Sequence, residues 1–124
     1  MRHIDTQVAL WLYTGRADRL APARHHLEGR ALLVSPMVLL ELQYLHEIGR
    51  IAVAAPAVFV ELKQTMGLEL AAEPWSVVVR TALSLSWTRD PFDRLIAAQA
   101  FTAGVPLVTA DQHIRTHFPL ALWG

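Results

Sequence analysis

Ala31-Leu32-Leu33-Val34-Ser35-Pro36-Met37-Val38-Leu39-Leu40-Glu41 is the stretch whose reading decides the fold. Its apolar run, Ala31 to Val34, is too short for a buried helix and reads as a strand. Ser35 then supplies a hydroxyl N-cap, and Pro36 takes the first helical position, where a missing N–H forfeits no bond. The helix that follows runs to about Ile48 and stops at Gly49. A strand feeding directly into a helix is the unit of a parallel sheet, and the unit recurs along the chain.

On the N-terminal side, Ile4 sits in a brief strand before a helical segment from Gln7 to Tyr13. On the C-terminal side, Ala57 to Met66 reads as a helix ended by Gly67, Leu68 to Ala71 as a weak strand, and Trp75 to Leu85 as a helix. Asp90-Pro91 opens a further helix, to about Ala103 before Gly104. Val105 to Thr109 is then a strand, Asp111 to His117 a short helix and Leu120 to Trp123 a last strand. The expected class is α/β, a three-layer α/β/α arrangement whose central parallel sheet of four to five short strands is joined by right-handed crossovers.

At 124 residues, 53% of them apolar, the chain suits one domain spanning 1–124 with a core that requires no staples. Eleven Lys and Arg balance eleven Asp and Glu, which excludes a uniformly basic nucleic-acid coat, so functional charge must be local. The absence of cysteine excludes disulfides and thiolate chemistry and leaves His, Asp and Glu as strong metal ligands. Met1 to Asp5 lacks the apolar core of a signal peptide, and the longest apolar stretch, Ile51 to Val60, is broken by Pro56. The expectation is a soluble, cytoplasmic protein with no membrane partner.

Open parallel sheets take ligands at the carboxyl ends of their strands. Asp5 ends the first strand, Asp111 follows Leu107-Val108-Thr109, and Asp93 lies in the first turn of the helix opened by Asp90-Pro91. Each has a capping explanation, which fits Asp90 best, with Asp93 as its capping-box partner; Asp90 is therefore read as structural. Glu41 resists that explanation. At about 100° per residue, Val38, Glu41, Leu45 and Ile48 fall within an arc of roughly 80°, so the acid lies inside the apolar stripe and faces inward. A carboxylate there needs a partner: an arginine, a proton or a cation. If the four acids converge, two carboxylates about 4 Å apart repel by roughly 4 kcal/mol at an effective dielectric of 20, and the cluster requires a cation. Oxygen ligands favour Mg²⁺ or Mn²⁺, with substrate phosphate completing the shell, which points to phosphodiester hydrolysis by an activated water.

At these residues the chain resembles the PIN-domain ribonucleases and, among them, the VapC-type toxins of prokaryotic toxin-antitoxin pairs. The matching stretches are Asp5-Thr6-Gln7-Val8-Ala9-Leu10-Trp11-Leu12, Val34-Ser35 through Leu40-Glu41 to Gly49-Arg50, Arg89-Asp90-Pro91-Phe92-Asp93 through Ala100, and Leu107-Val108-Thr109-Ala110-Asp111. They occur in the family's order over nearly the whole chain. The resemblance implies a PIN-like fold and a Mg²⁺- or Mn²⁺-dependent endoribonuclease acting on RNA, with Asp5, Glu41, Asp93 and Asp111 as the catalytic, metal-holding quartet. It also implies that Thr6 and Thr109 orient the carboxylates, that the chain forms a homodimer, and that a cognate VapB-type antitoxin covers the active site with its tail. Two departures stand out: Gln7, where close relatives often carry His or Asn, and the polar first strand made by Arg2-His3. The rival reading is an inert RNA- or protein-binding module of the same fold. A small-molecule phosphohydrolase lacks support, since there is no Gly-rich phosphate loop.

Outside the quartet, eleven cations face seven acids, and ten of the cations are arginine, suited to bidentate phosphate contacts. Arg16, Arg19, Arg50, Arg89, Arg94 and Arg115 are candidates near the strand ends, with Arg94, Arg50 and Arg115 put forward for RNA binding and Arg94 foremost because it adjoins Asp93. His113 and His117 are four apart, as zinc ligands on a helix would be, but residue 114 is isoleucine rather than a metalloprotease glutamate, and a surface helix suffices. Trp11, Leu12, Leu40, Tyr44 and Leu45 offer more apolar surface than a small core easily covers, as a subunit or antitoxin groove would.

Overall fold

In the computed structural model, which describes residues 1–124, five short strands form one wholly parallel sheet in the order β3-β2-β1-β4-β5. The strands are β1 (Arg2–Ile4), β2 (Leu32–Val34), β3 (Glu69–Leu70), β4 (Leu107–Val108) and β5 (Ala121–Leu122). The helices are α1 (Thr6–Thr14), α2 (Ala17–Leu20), α3 (Arg24–Leu27), α4 (Pro36–Glu47), α5 (Ala55–Met66), α6 (Trp75–Ala82), α7 (Pro91–Ala103) and α8 (Gln112–His117). The expected α/β class and parallel sheet are therefore present.

The strand order fixes where a ligand site must lie. From β1 the chain winds outward through β2 to β3, then returns to the other side of β1 for β4 and continues to β5. The winding reverses between β1 and β4, which pair as His3 with Leu107 and Ile4 with Val108. In an open parallel sheet the crevice outside the carboxyl ends of two such strands is the site of ligand binding. Asp5 directly follows β1, and Thr109-Ala110-Asp111 directly follow β4.

Local chemistry accounts for most boundaries. Ser35 caps α4, its hydroxyl accepting from the Met37 N–H, with Pro36 at the first helical position. Gly67 and Gly104 end α5 and α7 at φ of 68° and 67°, a left-handed conformation in which a Cβ would be strained. The core runs along the sheet through Ile4, Val34, Leu107 and Val108 and outward to Val8, Val38, Leu42, Val58, Ile96 and Ile114, all essentially inaccessible. Ile96 through Ala100 are five consecutive buried residues, so the middle of α7 is enclosed on every side.

Three sequence expectations need correction. The helix expected to reach Leu85 ends at Ala82, because Arg94 supplies donors to its last carbonyls: Nε bonds the Ala82 oxygen at 2.7 Å and Nη2 the Leu83 oxygen at 3.1 Å. The strand expected over Val105 to Thr109 contracts to two residues. The segment from Arg16 to Glu28, for which the sequence pattern offered no element, forms α2, a 3-10 turn at Ala21–Ala23, and α3.

Candidate active site

Four elements deliver acids to one cavity of about 510 Å³. It is lined by Asp5, Thr6, Gln7, Trp11, Glu41, Leu45, Asp90, Asp93, Ala110 and Asp111, so the four expected acids do converge. The capping explanation also holds for two of them, and the two readings coexist. Asp5 caps α1, one oxygen accepting from the Val8 N–H at 2.9 Å, and Asp111 caps α8, accepting from the Ile114 N–H at 2.9 Å. Each of these caps engages one carboxylate oxygen.

The capping box expected between Asp90 and Asp93 does not form. Asp90 accepts from the N–H groups of Phe92 and Asp93, but its own N–H donates to the Thr88 hydroxyl at 3.2 Å. The Asp93 carboxylate thus has no hydrogen bond and is free toward the cavity. Glu41 accepts from the Thr6 hydroxyl, and the Thr109 hydroxyl accepts from the Asp111 N–H at 3.1 Å while bonding the Asp5 carboxylate. Both threonines therefore touch the acids expected of them. The stripe containing Glu41 is buried at Val38 and half-buried at Leu45, but it opens to solvent at Ile48.

Electrostatics couples the group. Asp93 is pushed up to about 7, first by burial and then by the charges of Asp90, Asp111, Glu41 and Asp5. Asp5 is pushed up to about 6, mainly by burial, with Glu41 and Asp111 adding repulsion against the opposing bonds from Thr109 and the Val8 N–H. Glu41 is raised by burial and by Asp90, against the pull of Thr6.

Asp90 is the residue that sequence reasoning misplaced. It caps α7 as expected, but it also lines the cavity and repels both Glu41 and Asp93. No lysine, arginine or histidine lines the cavity, and every ion pair of the molecule, Arg16–Asp18, Arg24–Glu28 and Lys63–Glu69, lies among other residues. The arginine partner considered for Glu41 is absent. Five carboxylates with no protein cation can be neutralised only by protons or by an added cation. No three of these side chains form a ready-made metal cage. A Mg²⁺ ion keeps several waters and needs only one or two carboxylates directly, together with substrate phosphate. The donor set fits a hard divalent ion.

Arg94, the foremost RNA-binding candidate, is engaged within the fold. Its guanidinium is bonded to the carbonyls of Ala82, Leu83 and Thr88, locking the end of α6 against α7. Arg50 and Arg115 are exposed, and neither lines the cavity. His113 and His117 sit on the solvent side of α8 as the surface reading expected. The polar first strand has a structural consequence: His3 is fully buried in β1 with neither ring nitrogen hydrogen-bonded.

Residues 3–117 match the PIN domain family model, and the chain belongs to that family. It is 32% identical over 130 aligned positions to Ribonuclease VapC22 of Mycobacterium tuberculosis (strain ATCC 25618 / H37Rv), a match covering 97% of this chain and 96% of that one. Among solved structures, VapBC2 from Rickettsia felis, bound to a DNA fragment from its promoter, superposes with a TM-score of 0.69 at 18% identity, covering 99% of this chain and 98% of that chain. DNA-bound VapBC from Salmonella typhimurium superposes with a TM-score of 0.63 at 16% identity, covering 97% and 93%. At those identities the superpositions establish the shared fold.

Proposed function

We propose that this chain is a Mg²⁺- or Mn²⁺-dependent endoribonuclease and the toxin of a VapBC-type pair, with residues 1–124 acting as one PIN domain. The observation that carries the reading is the cavity at the β1/β4 switch point, ringed by five carboxylates and no protein cation. Family membership and the likeness to a ribonuclease over almost the full length support the same conclusion.

Asp5, Glu41, Asp93 and Asp111 would hold the ion between them, directly or through its waters, with Glu41 positioned by the Thr6 hydroxyl. When bound, such an ion supplies charge neutralisation at the scissile phosphate and an activated water. The chain's own contribution is to fix the acids. The N-terminal turns of α1 and α8 clamp one oxygen each of Asp5 and Asp111, and Thr109 bonds both residues, so the carboxylates are oriented before substrate arrives. Asp93 is pushed up to about 7 by burial and by its acidic neighbours, so a cation nearby would favour its charged form.

The partner reading rests on apolar surface. Leu40 and Tyr44 on successive turns of α4, and Ile48 at its C-cap, are each about half exposed, which suits a second copy of the chain. A second cavity, of about 740 Å³ and lined by Leu12, Leu20, Leu27 and Met66 with Arg24 and Arg30 at its edge, suits an antitoxin segment. No helix is long and apolar enough to cross a membrane, and the proposed site of action is the cytoplasm.

The test is cleavage of single-stranded RNA by the antitoxin-free protein. Activity with Mg²⁺ or Mn²⁺, lost in EDTA and lost in both Asp5→Asn and Asp93→Asn with folding intact, is the expected result. Undiminished cleavage by both variants would remove the mechanism, and a folded parent that binds no divalent ion would favour the inert-module reading.

A further inference from the structure

The loop before α7 and the helix after β4, which deliver Asp93 and Asp111 to the cavity, also carry a cluster of flat rings that the site above does not use. Trp87 lies three residues before Asp90, and His113 and His117 lie two and six residues after Asp111. The Trp87 indole stacks on the His117 imidazole, with ring centres 5.9 Å apart and planes 12° from parallel. His113 meets both edge-on, 5.7 Å from Trp87 and 4.6 Å from His117. A hydrogen bond between His113 Nε2 and the Trp87 carbonyl ties the loop to α8, and the buried Phe118 backs the indole at 6.4 Å. Trp87 is half-buried and both imidazoles are exposed, so the cluster is anchored through the indole and reaches solvent through the two histidines.

We propose that Trp87, His113 and His117 form a stacking platform for a nucleobase of single-stranded RNA flanking the scissile phosphate, an inference that rests on the ribonuclease reading. Two features select this occupant over a peptide. The exposed element is a pair of flat rings held by their contacts with Trp87 and with each other, and flat rings accept any base because every base has a π-face. Two exposed guanidiniums, Arg89 and Arg115, lie on the same loop and the same helix and provide phosphate-seeking charge beside a cavity that is otherwise acidic. A two-histidine metal site is a poorer account, since His113 Nε2 is engaged by a carbonyl. The platform thus holds a base on one side of the cut and leaves the backbone to run into the acidic cavity.

The experiment compares the parent with His117→Ala and His117→Phe, using the full antitoxin-free chain and a fluorescently labelled single-stranded RNA. Binding is measured in EDTA, where no cleavage occurs, and KM and kcat are measured with Mg²⁺. His117→Ala should weaken binding in EDTA about tenfold and raise KM by a similar factor rather than lower kcat. His117→Phe, which keeps a flat ring, should restore both. Equal affinity of parent and His117→Ala, or failure of phenylalanine to restore binding, would overturn the proposal. RNA binding that depends on residue 117 in a parent that cleaves nothing would uphold the platform while refuting the ribonuclease reading.

Discussion

Replacing Asp93 by asparagine should stabilise the chain when divalent ions are removed, although the same change should abolish cleavage. The Asp93 carboxyl is pushed from 3.8 to about 7 by burial and by four neighbouring carboxylates. A folded-state pKa raised above the unfolded one marks stability that is present below about pH 4 and lost as pH rises through about 7. Three units at 1.36 kcal/mol each give about 4 kcal/mol of charging penalty at pH 8, and relaxation of the neighbouring acids reduces the expected gain in Asp93→Asn to roughly 2–4 kcal/mol. For a chain of this size that is a rise in Tm on the order of 10 °C. The assay is thermal denaturation of both proteins from pH 4 to 8, in EDTA and with saturating Mg²⁺. Comparing the two proteins cancels other titrations, including that of His3. In EDTA the variant should be the more stable at pH 8 and equal to the parent near pH 4. Mg²⁺ should raise the parent's Tm and leave the variant's almost unchanged, because an ion that binds only the folded state stabilises it. A variant less stable than the parent at pH 8 in EDTA, or a difference that does not vary with pH, would refute the electrostatic reasoning.

His3, buried with both ring nitrogens unpaired, is lowered from 6.5 to about 4, chiefly by burial. Its stability contribution is present above pH 6.5 and lost as pH falls toward 4, so the parent should lose about 3 kcal/mol more over that range than His3→Leu, measured by urea denaturation. Arg94→Met should cost roughly 1–3 kcal/mol by leaving the Leu83 carbonyl without a donor and the Ala82 carbonyl with only the Leu85 N–H, while cleavage per folded molecule, measured by active-site titration, remains at the parent level. Thr6→Val removes the donor to Glu41 and should reduce divalent-ion affinity about tenfold in calorimetric titration, with less than about 1 kcal/mol change in stability.

Much of the fold was legible because its boundaries are set locally. Ser35-Pro36 and Asp90-Pro91 announce helix starts, and Gly49, Gly67 and Gly104 mark the ends of helices. The segment from Arg16 to Glu28 was not legible, because turns of three and four residues are too short to display a hydrophobic period, and Pro22 interrupts what little there is. Among the acids, Glu41 was readable from its place in an apolar stripe, and Asp5 and Asp111 from their position after strands. Asp90 was hidden because capping fully explains an aspartate before proline, and nothing in the sequence says that the same carboxylate also faces a cavity. Arg94 was misread for the converse reason: a guanidinium suits a phosphate and a helix's terminal carbonyls equally, and only the proximity of α6 to α7 decides between them.

A hard divalent ion residing among Asp5, Glu41, Asp93 and Asp111 is the claim on which the proposed mechanism depends. Crystals of the chain grown with Mn²⁺ and measured at the manganese absorption edge provide the most direct test. The expected result is an anomalous peak inside the acidic cavity, within reach of those carboxylates and absent in crystals of Asp93→Asn. Manganese only at other positions, with the carboxylates turned apart into solvent, would contradict it.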